Sequence, residues 1–568
     1  MSVSSLNAPN PPSGTYRRAG LALLAWLLLD LLLSFKNWRP TPAILPDLLL
    51  APEWLGLWLG LLGWTAWRGP LSRRWLTGLS LVFCLLVLGR YGDVTVPALF
   101  GRPINLYWDG AEIPRFLWVS ARELPWWLSG AVAGALAGLL WGLYRLVRWA
   151  LGVAARDAAP LALAHPWAVL VSLAGGLLVG ANLAGVEATE GLVSRPVLPT
   201  YWRQAQLLYT ALSTERVAQI LPPSSSLERA LAQPPGQALA ALGGQDLYLI
   251  LIESYGALTY DHPDAAQALA PARRQLAADI AAGGRQVVSA LVRSPTYGGG
   301  TDRAHLSLLS GLDLTDPMHH DLLLTTDRPT LVSLFRAQGY QTFGFYPGLD
   351  WEWPERVFYN YEVFVEGRSL DYQGPPLGYW KIPDQYSLAR FEQLYPRGSG
   401  TPPRWVFFAT STSHLPFAQV PPYQPDWERI LKPEPYDPAD VAHALADQPD
   451  WFDMWPGYLR MFRYTYAWLG GFLARPDPRD TLYILVGDHQ PTSNISGEDS
   501  PWDVPVHVIS RDPELLSRFV ALGFRPGLTP SRPTLGKMNE LTGILLNALA
   551  QPEPEPKTAA RGAPALDR

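Results

Sequence analysis

The sequence predicts two parts of different class: a front bundle of about five membrane-spanning helices, then an external α/β domain on a largely parallel central sheet. Three observations carry this. Apolar residues crowd into the first third of the 568-residue chain, although its mean hydropathy is only +0.03. From Asp246 onward, short β-rich runs alternate with helical ones, the rhythm of layered α/β architecture. Several of those runs are apolar at every position, as strands covered on both faces must be.

The front third holds apolar runs at about 19–35, 45–66, 75–98, 127–150 and 167–186, near the roughly 20 residues that a bilayer requires. The second is the weakest, because it contains Asp47 and Glu53. Runs joined by such short loops are hard to pack as the core of a water-soluble protein. No small-residue cleavage site follows the first run, so it does not read as a signal peptide. Arg17 and Arg18, then Arg68, Arg73 and Arg74, then Arg145, Arg148 and Arg156 fall on one side of a five-span bundle and mark it as cytoplasmic. Arg102, Arg115 and Arg122 oppose that bias. An odd number of spans puts everything after about residue 187 outside the cytoplasm, periplasmic or extracellular. The spans hold few ionisable residues, which argues against a transporter. The Ala-, Leu-, Arg- and Pro-rich, Lys-poor composition suggests a GC-rich bacterium, and the spans then imply a multi-pass protein of the bacterial cell (inner) membrane.

Residues 188–245, with Pro222, Pro223, Ser224–Ser226 and Pro-Pro-Gly at 234–236, read as a partly helical linker. The α/β domain follows over 246–550, and the Pro-, Glu- and Ala-rich stretch 551–568 as a disordered tail. The predicted strands are 247–252, 286–292, 340–345, 404–409, 481–486 and 504–509, with helical segments near 301–310, 328–338, 457–474 and 535–549. Cys84, the only cysteine, lies within the third span, so the external domain has no disulfide and rests on its core, for which roughly 300 residues are ample. A net charge of −5 without a basic cluster argues against nucleic acid as a partner.

Open α/β sheets bind ligands beyond the carboxyl ends of their strands, so the first polar residues after each apolar run are the candidates. They are Glu253, then Gly487-Asp488-His489, then Thr410 to His414, and the loop Ser294-Pro-Thr-Tyr-Gly-Gly-Gly-Thr301 that opens a helix. Each alone has an ordinary explanation: a helix-end carboxylate for Glu253, a surface turn for Asp488-His489, a structural imidazole for His414, and a glycine turn with Thr301 as N-cap. Together they offer two carboxylates, an imidazole and a hydroxyl, a plausible set for one divalent cation, Mn, Mg or Zn. A Thr hydroxyl bound to a dication ionises near neutral pH, and a helix start behind glycines favours an anion. That suits attack on a phosphorus or sulfur ester.

Leu251-Ile-Glu-Ser254, Gly300-Thr301 and Gly487-Asp-His489 resemble the metal-site motifs of the alkaline phosphatase and sulfatase superfamily. The order and spacing most resemble its lipoteichoic acid synthase and phosphoethanolamine transferase type, proteins with about five N-terminal membrane helices, a linker and an external sulfatase-like domain. The resemblance implies Glu253, Thr301, Asp488 and His489 as metal ligands, Thr301 as nucleophile and His414, in Ser413-His-Leu-Pro-Phe417, as a substrate-site histidine that protonates the leaving group. Leu308-Leu-Ser-Gly311 is similar to the end of the sulfatase signature, and the signature's nucleophile offset, ten residues before Gly311, falls on Thr301. Arg303 and His305 replace the signature's Pro and Arg, and Thr cannot become formylglycine, so true sulfatase chemistry is disfavoured. Ser294 and Thr296 compete as nucleophiles. Phe345 to Arg356 resembles the family's head-group region, with Arg356 as its Arg and Tyr346 where a His is expected. Arg303 and His305 are further substrate-contact candidates. The implied reaction moves a phospho-head group, phosphoglycerol before phosphoethanolamine, from a membrane phospholipid to a glycan or glycolipid. The alternatives are a phosphodiesterase or sulfuric ester hydrolase, and an inactive fold.

Overall fold

The computed structural model describes residues 13–550 except 38–42, 101–103, 108–109, 111–125, 165, 185, 187–190, 350–352, 354, 399, 451–452 and 498–499. Arg102, Arg115, Arg122 and the 551–568 tail therefore lie outside the described residues. The chain forms two compact units, Met1–Leu212 and Ser213–Arg568.

In the first unit, helices Ser13–Leu31, Pro52–Arg68, Arg73–Phe100, Trp126–Ala164 and Pro166–Leu183 overlap the apolar runs. Two expectations change. The run at 45–66 is not helical throughout: Lys36–Asn37 (β1) pairs antiparallel with Ile44–Leu45 (β2), and the helix begins only where Pro52 can take its first turn, a position that needs no N–H. The fourth helix does not stop at 150. It continues to Ala164 through Arg145, Arg148 and Arg156, because 145–159 contains no proline and a single glycine. Among the described residues, only Arg73–Val96 and Trp127–Arg156 are long and apolar enough to cross a membrane, with Gly20–Leu31 and Val169–Leu183 shorter. Length alone therefore marks two candidate spans among the described residues. In the second of these, Leu136, Leu139, Leu140 and Trp141 are all exposed. The helix thus presents an apolar surface outward. Within 188–245, Leu198–Ala211, Thr214–Ile220 and Ser225–Leu231 are helical.

The second unit is built on an eight-stranded sheet of order β10-β4-β9-β8-β3-β7-β5-β6. Its strands are Asp246–Ile252 (β3), Gln286–Arg293 (β4), Gln341–Tyr346 (β5), Val363–Glu366 (β6), Arg404–Ala409 (β7), Thr481–Gly487 (β8), Asp503–Ser510 (β9) and Arg525–Pro526 (β10). The run β8-β3-β7-β5-β6 is parallel. β9 is antiparallel to both β8 and β4, and β10 is antiparallel to β4. Every residue of β3, β7, β8 and β9 is buried. Alternation divides the two faces: Tyr248, Ile250 and Ile252 join one core with Phe343, Phe345, Val406, Phe408, Tyr483 and Leu485, closed by Tyr458, Phe462, Tyr466 and Trp468 of helix Trp455–Leu473. The register aligns Ile252 with Gly487 and Leu251 with Ala409, so three parallel strands end together.

Candidate active site

Where those strands end, the backbone turns sharply and presents polar side chains. Ser254 adopts φ 56° immediately after Glu253. Gly487 must be glycine, because a Cβ there would stand 1.9 Å from the Tyr255 carbonyl. The loop after β4 carries Gly298, Gly299 and Gly300 at φ 66°, 143° and 76°, all in territory that disfavours side chains. At Gly300 a Cβ would also lie 2.8 Å from Thr296 Oγ1. Gly300, not Thr301, is the helix N-cap, and Thr301 is the first residue of helix Thr301–Ser310. The Thr301 hydroxyl is thereby free of capping duty.

That hydroxyl lies 3.2 Å from Glu253 Oε2 and 3.2 Å from His489 Nε2. Ligand atoms of Glu253, Asp488 and His489, all three buried, lie within 4.8 Å of one another. These four predicted residues therefore come together, from three separate parts of the chain. Their second contacts hold them still. Asp488 Oδ1 accepts the N–H groups of Ser254 at 2.8 Å and His489 at 2.6 Å. Ser254 Oγ donates to Glu253 Oε1 at 2.9 Å. His489 Nδ1 sits 2.8 Å from the Gln490 carbonyl, which fixes its proton there and leaves the Nε2 lone pair for the site.

The donor set fits a divalent cation. Asp488 Oδ2 is buried and meets no donor at hydrogen-bonding geometry, with His489 Nε2 3.5 Å away. Such an orphaned carboxylate oxygen calls for a partner. Burial, then the neighbouring Glu253 charge, pushes the Asp488 carboxyl well above its usual range, against smaller help from the His489 and Ser254 amides and the Thr301 hydroxyl. Burial also lifts Glu253, but the His489 and His414 imidazoles and the Ser254 and Thr301 hydroxyls outweigh it and hold that carboxyl low. Two carboxylates this close and dry share a proton unless a cation replaces it.

The competing hydroxyls are already committed. Ser294 Oγ donates to the Asp488 carbonyl at 2.5 Å. Thr296 Oγ1 donates to the Gly299 carbonyl and accepts from Arg303 Nη2 at 2.8 Å. Arg303 thus ties down the glycine loop, with a second bond to the Thr315 carbonyl at 3.3 Å. His305 is buried, edge-on to Tyr346 and Phe407, and burial lowers its pKa to about 4, so it is a neutral core side chain. Tyr346 is buried too, its hydroxyl 3.4 Å from that of Tyr361. Arg356 is exposed, 3.9 Å from Glu366 and stacked over Phe364; among the described residues no contact joins it to the four-residue cluster. Asp350, Trp351, Glu352 and Pro354 of the same segment lie outside the described residues.

His414 is half-buried, stacked on Tyr379 with ring centroids 4.7 Å apart and edge-on to Trp380. Its Nδ1 lies 2.6 Å from the Leu415 carbonyl, which again leaves Nε2 to exchange protons. Sequence reasoning missed what holds its loop. Asp384, fully buried, accepts from Ser411 N at 2.8 Å and Thr412 N at 3.0 Å, while its own N–H donates to Thr412 Oγ1 at 2.8 Å. Thr410 Oγ1 then accepts the Glu253 N–H at 3.0 Å, and Ser413 Oγ donates to the Glu253 carbonyl at 2.7 Å. Burial raises the Asp384 pKa to about 6 despite those bonds. Only the Ser- and Thr-rich run 410–413 hinted at such a carboxylate.

Residues 250–507 match the family model described as Sulfatase. No curated protein matches the chain. Among solved structures, the chain is similar to a protein in the alkaline phosphatase superfamily from Vibrio parahaemolyticus, at 18% identity and TM-score 0.36, over 54% of this chain and 66% of that one, just under two thirds of it. It is similar to the lipoteichoic acid synthase LtaP from Listeria monocytogenes at 14% identity and TM-score 0.33, over 52% of this chain and 70% of that one. It is also similar to the Streptococcus pyogenes phosphoglycerol transferase GacH in complex with sn-glycerol-1-phosphate at 12% identity and TM-score 0.34, over 62% of this chain and 89% of that one.

Proposed function

We propose, from the match of residues 250–507 to the Sulfatase family model, that this chain carries a sulfatase-like enzyme domain and is a membrane-anchored phosphotransferase. It moves a phospho-head group, phosphoglycerol first, from a membrane phospholipid to a glycan or glycolipid of the cell envelope through a phosphothreonine at Thr301. One observation carries the reading: the Thr301 hydroxyl stands 3.2 Å from both Glu253 Oε2 and His489 Nε2 at the first residue of a helix. A divalent cation (Mn, Mg or Zn) held by Glu253, Asp488, His489 and Thr301 would supply a Lewis acid that favours the ionised hydroxyl and withdraws charge from the phosphoryl group.

The chain's own residues account for the rest. Thr301 Oγ1 attacks phosphorus, the bond to the diacylglycerol oxygen breaks, and that oxygen takes a proton from protonated His414 at Nε2. The helix start at Thr301 favours the phosphate's negative charge. In the second half, an acceptor hydroxyl gives its proton to His414 Nε2 and attacks phosphorus, and Thr301 is regenerated. The Thr at this position, which cannot become formylglycine, favours this chemistry over sulfate ester hydrolysis. The apolar helices of the first unit support a membrane anchor that keeps the domain beside its lipid donor, which raises local concentration.

The test is diacylglycerol release by the full chain in detergent with manganese, with phosphatidylglycerol and phosphatidylethanolamine in parallel. The expected result is faster release from phosphatidylglycerol, lost on chelation and in Thr301→Ala. Release that survives Thr301→Ala would contradict the reading.

A further inference from the structure

Helix Trp126–Ala164 brings together arginines that are scattered in sequence. Arg145, Arg148 and Arg156 line one cavity of about 660 Å³ with Tyr144, Trp149, Gly152 and the Pro70-Leu71 turn. The sequence shows no basic run here because the charges are three and eight residues apart, spacings that a helix gathers on one side. Arg148 Nη1 donates to Thr77 Oγ1 at 2.6 Å, Arg156 Nε donates to the Gly152 carbonyl at 2.8 Å, and Arg145 lies over the Trp141 ring. Among the described residues, no carboxylate pairs with any of the three.

Their depth is informative. A bilayer core takes roughly 20 helical residues at about 1.5 Å each, and from Trp127 that count ends near Leu146. Arg145 and Arg148 then stand at the membrane surface and Arg156 beyond it, with Trp149 and Tyr144 at the level that interfacial aromatics prefer. Guanidinium groups with no carboxylate partner among the described residues, in a cavity at the lipid–water boundary, match a phosphate ester above acyl chains.

We propose that this cavity binds the head group of an anionic glycerophospholipid, at a site separate from the Thr301 centre. The inference rests on the membrane reading of the first unit, and not on the reaction proposed for the second. A phosphate between the arginines binds through charge-assisted hydrogen bonds, and its acyl chains lie along the exposed apolar side chains of the same helix.

The test uses full-length protein carrying Thr301→Ala, so that donor turnover does not enter, and native mass spectrometry from detergent. The probes are phosphatidylserine, phosphatidylcholine with the same chains, and inorganic phosphate. Phosphatidylserine is expected to bind at least tenfold more tightly than phosphatidylcholine. The triple change Arg145→Ala, Arg148→Ala and Arg156→Ala should weaken it on the order of 10²-fold, at about one interfacial cation's worth for each arginine. The triple Arg→Lys protein should lie between. Equal retention of the two lipids, unchanged binding in the triple alanine protein, or inorganic phosphate binding as tightly as the lipid would each overturn the proposal. If the triple alanine protein fails to fold, Arg145→Gln alone, at an exposed position, should weaken phosphatidylserine roughly fivefold, and unchanged binding there would overturn it equally.

Discussion

The two regions that follow β3 and β5 are made differently. After β3, Glu253 is joined by Asp488 and His489, which follow β8, the strand paired in register beside it. Their positions are set by buried backbone, and the amides of Ser254 and His489 finish the alignment through Asp488 Oδ1. At the end of β5, Tyr346 is spent in the aromatic core against His305, Phe364 and Phe407, and beyond it Arg356 meets Glu366 and Phe364. A site fixed by sheet register arrives formed, whereas the side chains at the end of β5 and beyond it are taken up by aromatic packing and a surface ion pair.

The largest expected effect breaks the first region. Asp488→Ala or Glu253→Ala should cut turnover by at least ~10³-fold and abolish divalent-metal binding, measured by calorimetric titration beside the kinetics. Next is Asp384→Ala, which touches no reacting atom but releases the 410–414 loop. A loss of about 10–10²-fold in turnover is expected from misplacing His414, with metal affinity unchanged; loss of both would mean that the loop also holds the metal set.

The third prediction concerns pH. In the metal-free protein, the Asp488 carboxyl is raised, so the folded chain keeps a proton that the unfolded chain gives up above about pH 4. Stability therefore falls as pH rises through that window. Glu253, held low, contributes the opposite slope, and only below the usual carboxylate range. Asp384, raised to about 6, and His305, lowered to about 4, add opposing slopes with or without metal, so the measure is the difference: in thermal melts from pH 4 to 8, manganese should raise the melting temperature more at pH 8 than at pH 4. The smallest effect falls on the second region. Arg356→Ala removes an exposed ion pair, so stability should change by less than ~1 kcal/mol and KM for the lipid by less than about threefold. A KM rise of tenfold or more, on the other hand, would return Arg356 to the head-group site that the sequence motif implies.

This contrast also explains what the sequence disclosed. Glu253, Asp488 and His489 were legible because each follows a run of apolar residues whose end is visible in one dimension. Thr301 was legible from the three glycines before it. Asp384 was not, because its role is to accept amides from residues 27 and 28 positions away, and no local pattern marks such a partner. Helix Pro263–Ala282 escaped notice because its Ala-rich sequence holds Pro271 and no sharp apolar stripe. In the first unit, apolar composition gave the helices but not their limits: Pro52 starts one later than expected, and an unbroken run carries another past Arg156.

The central claim is that Thr301 becomes covalently phosphorylated by a lipid head group. Intact-mass spectrometry of the full chain with phosphatidylglycerol and manganese, with Thr301→Ala alongside, tests it most directly. The account predicts a metal-dependent phosphoglycerol adduct that peptide mapping locates on Thr301 and that the alanine variant lacks. An adduct on another residue, or diacylglycerol released by the wild-type protein with no adduct under rapid quenching, would contradict it.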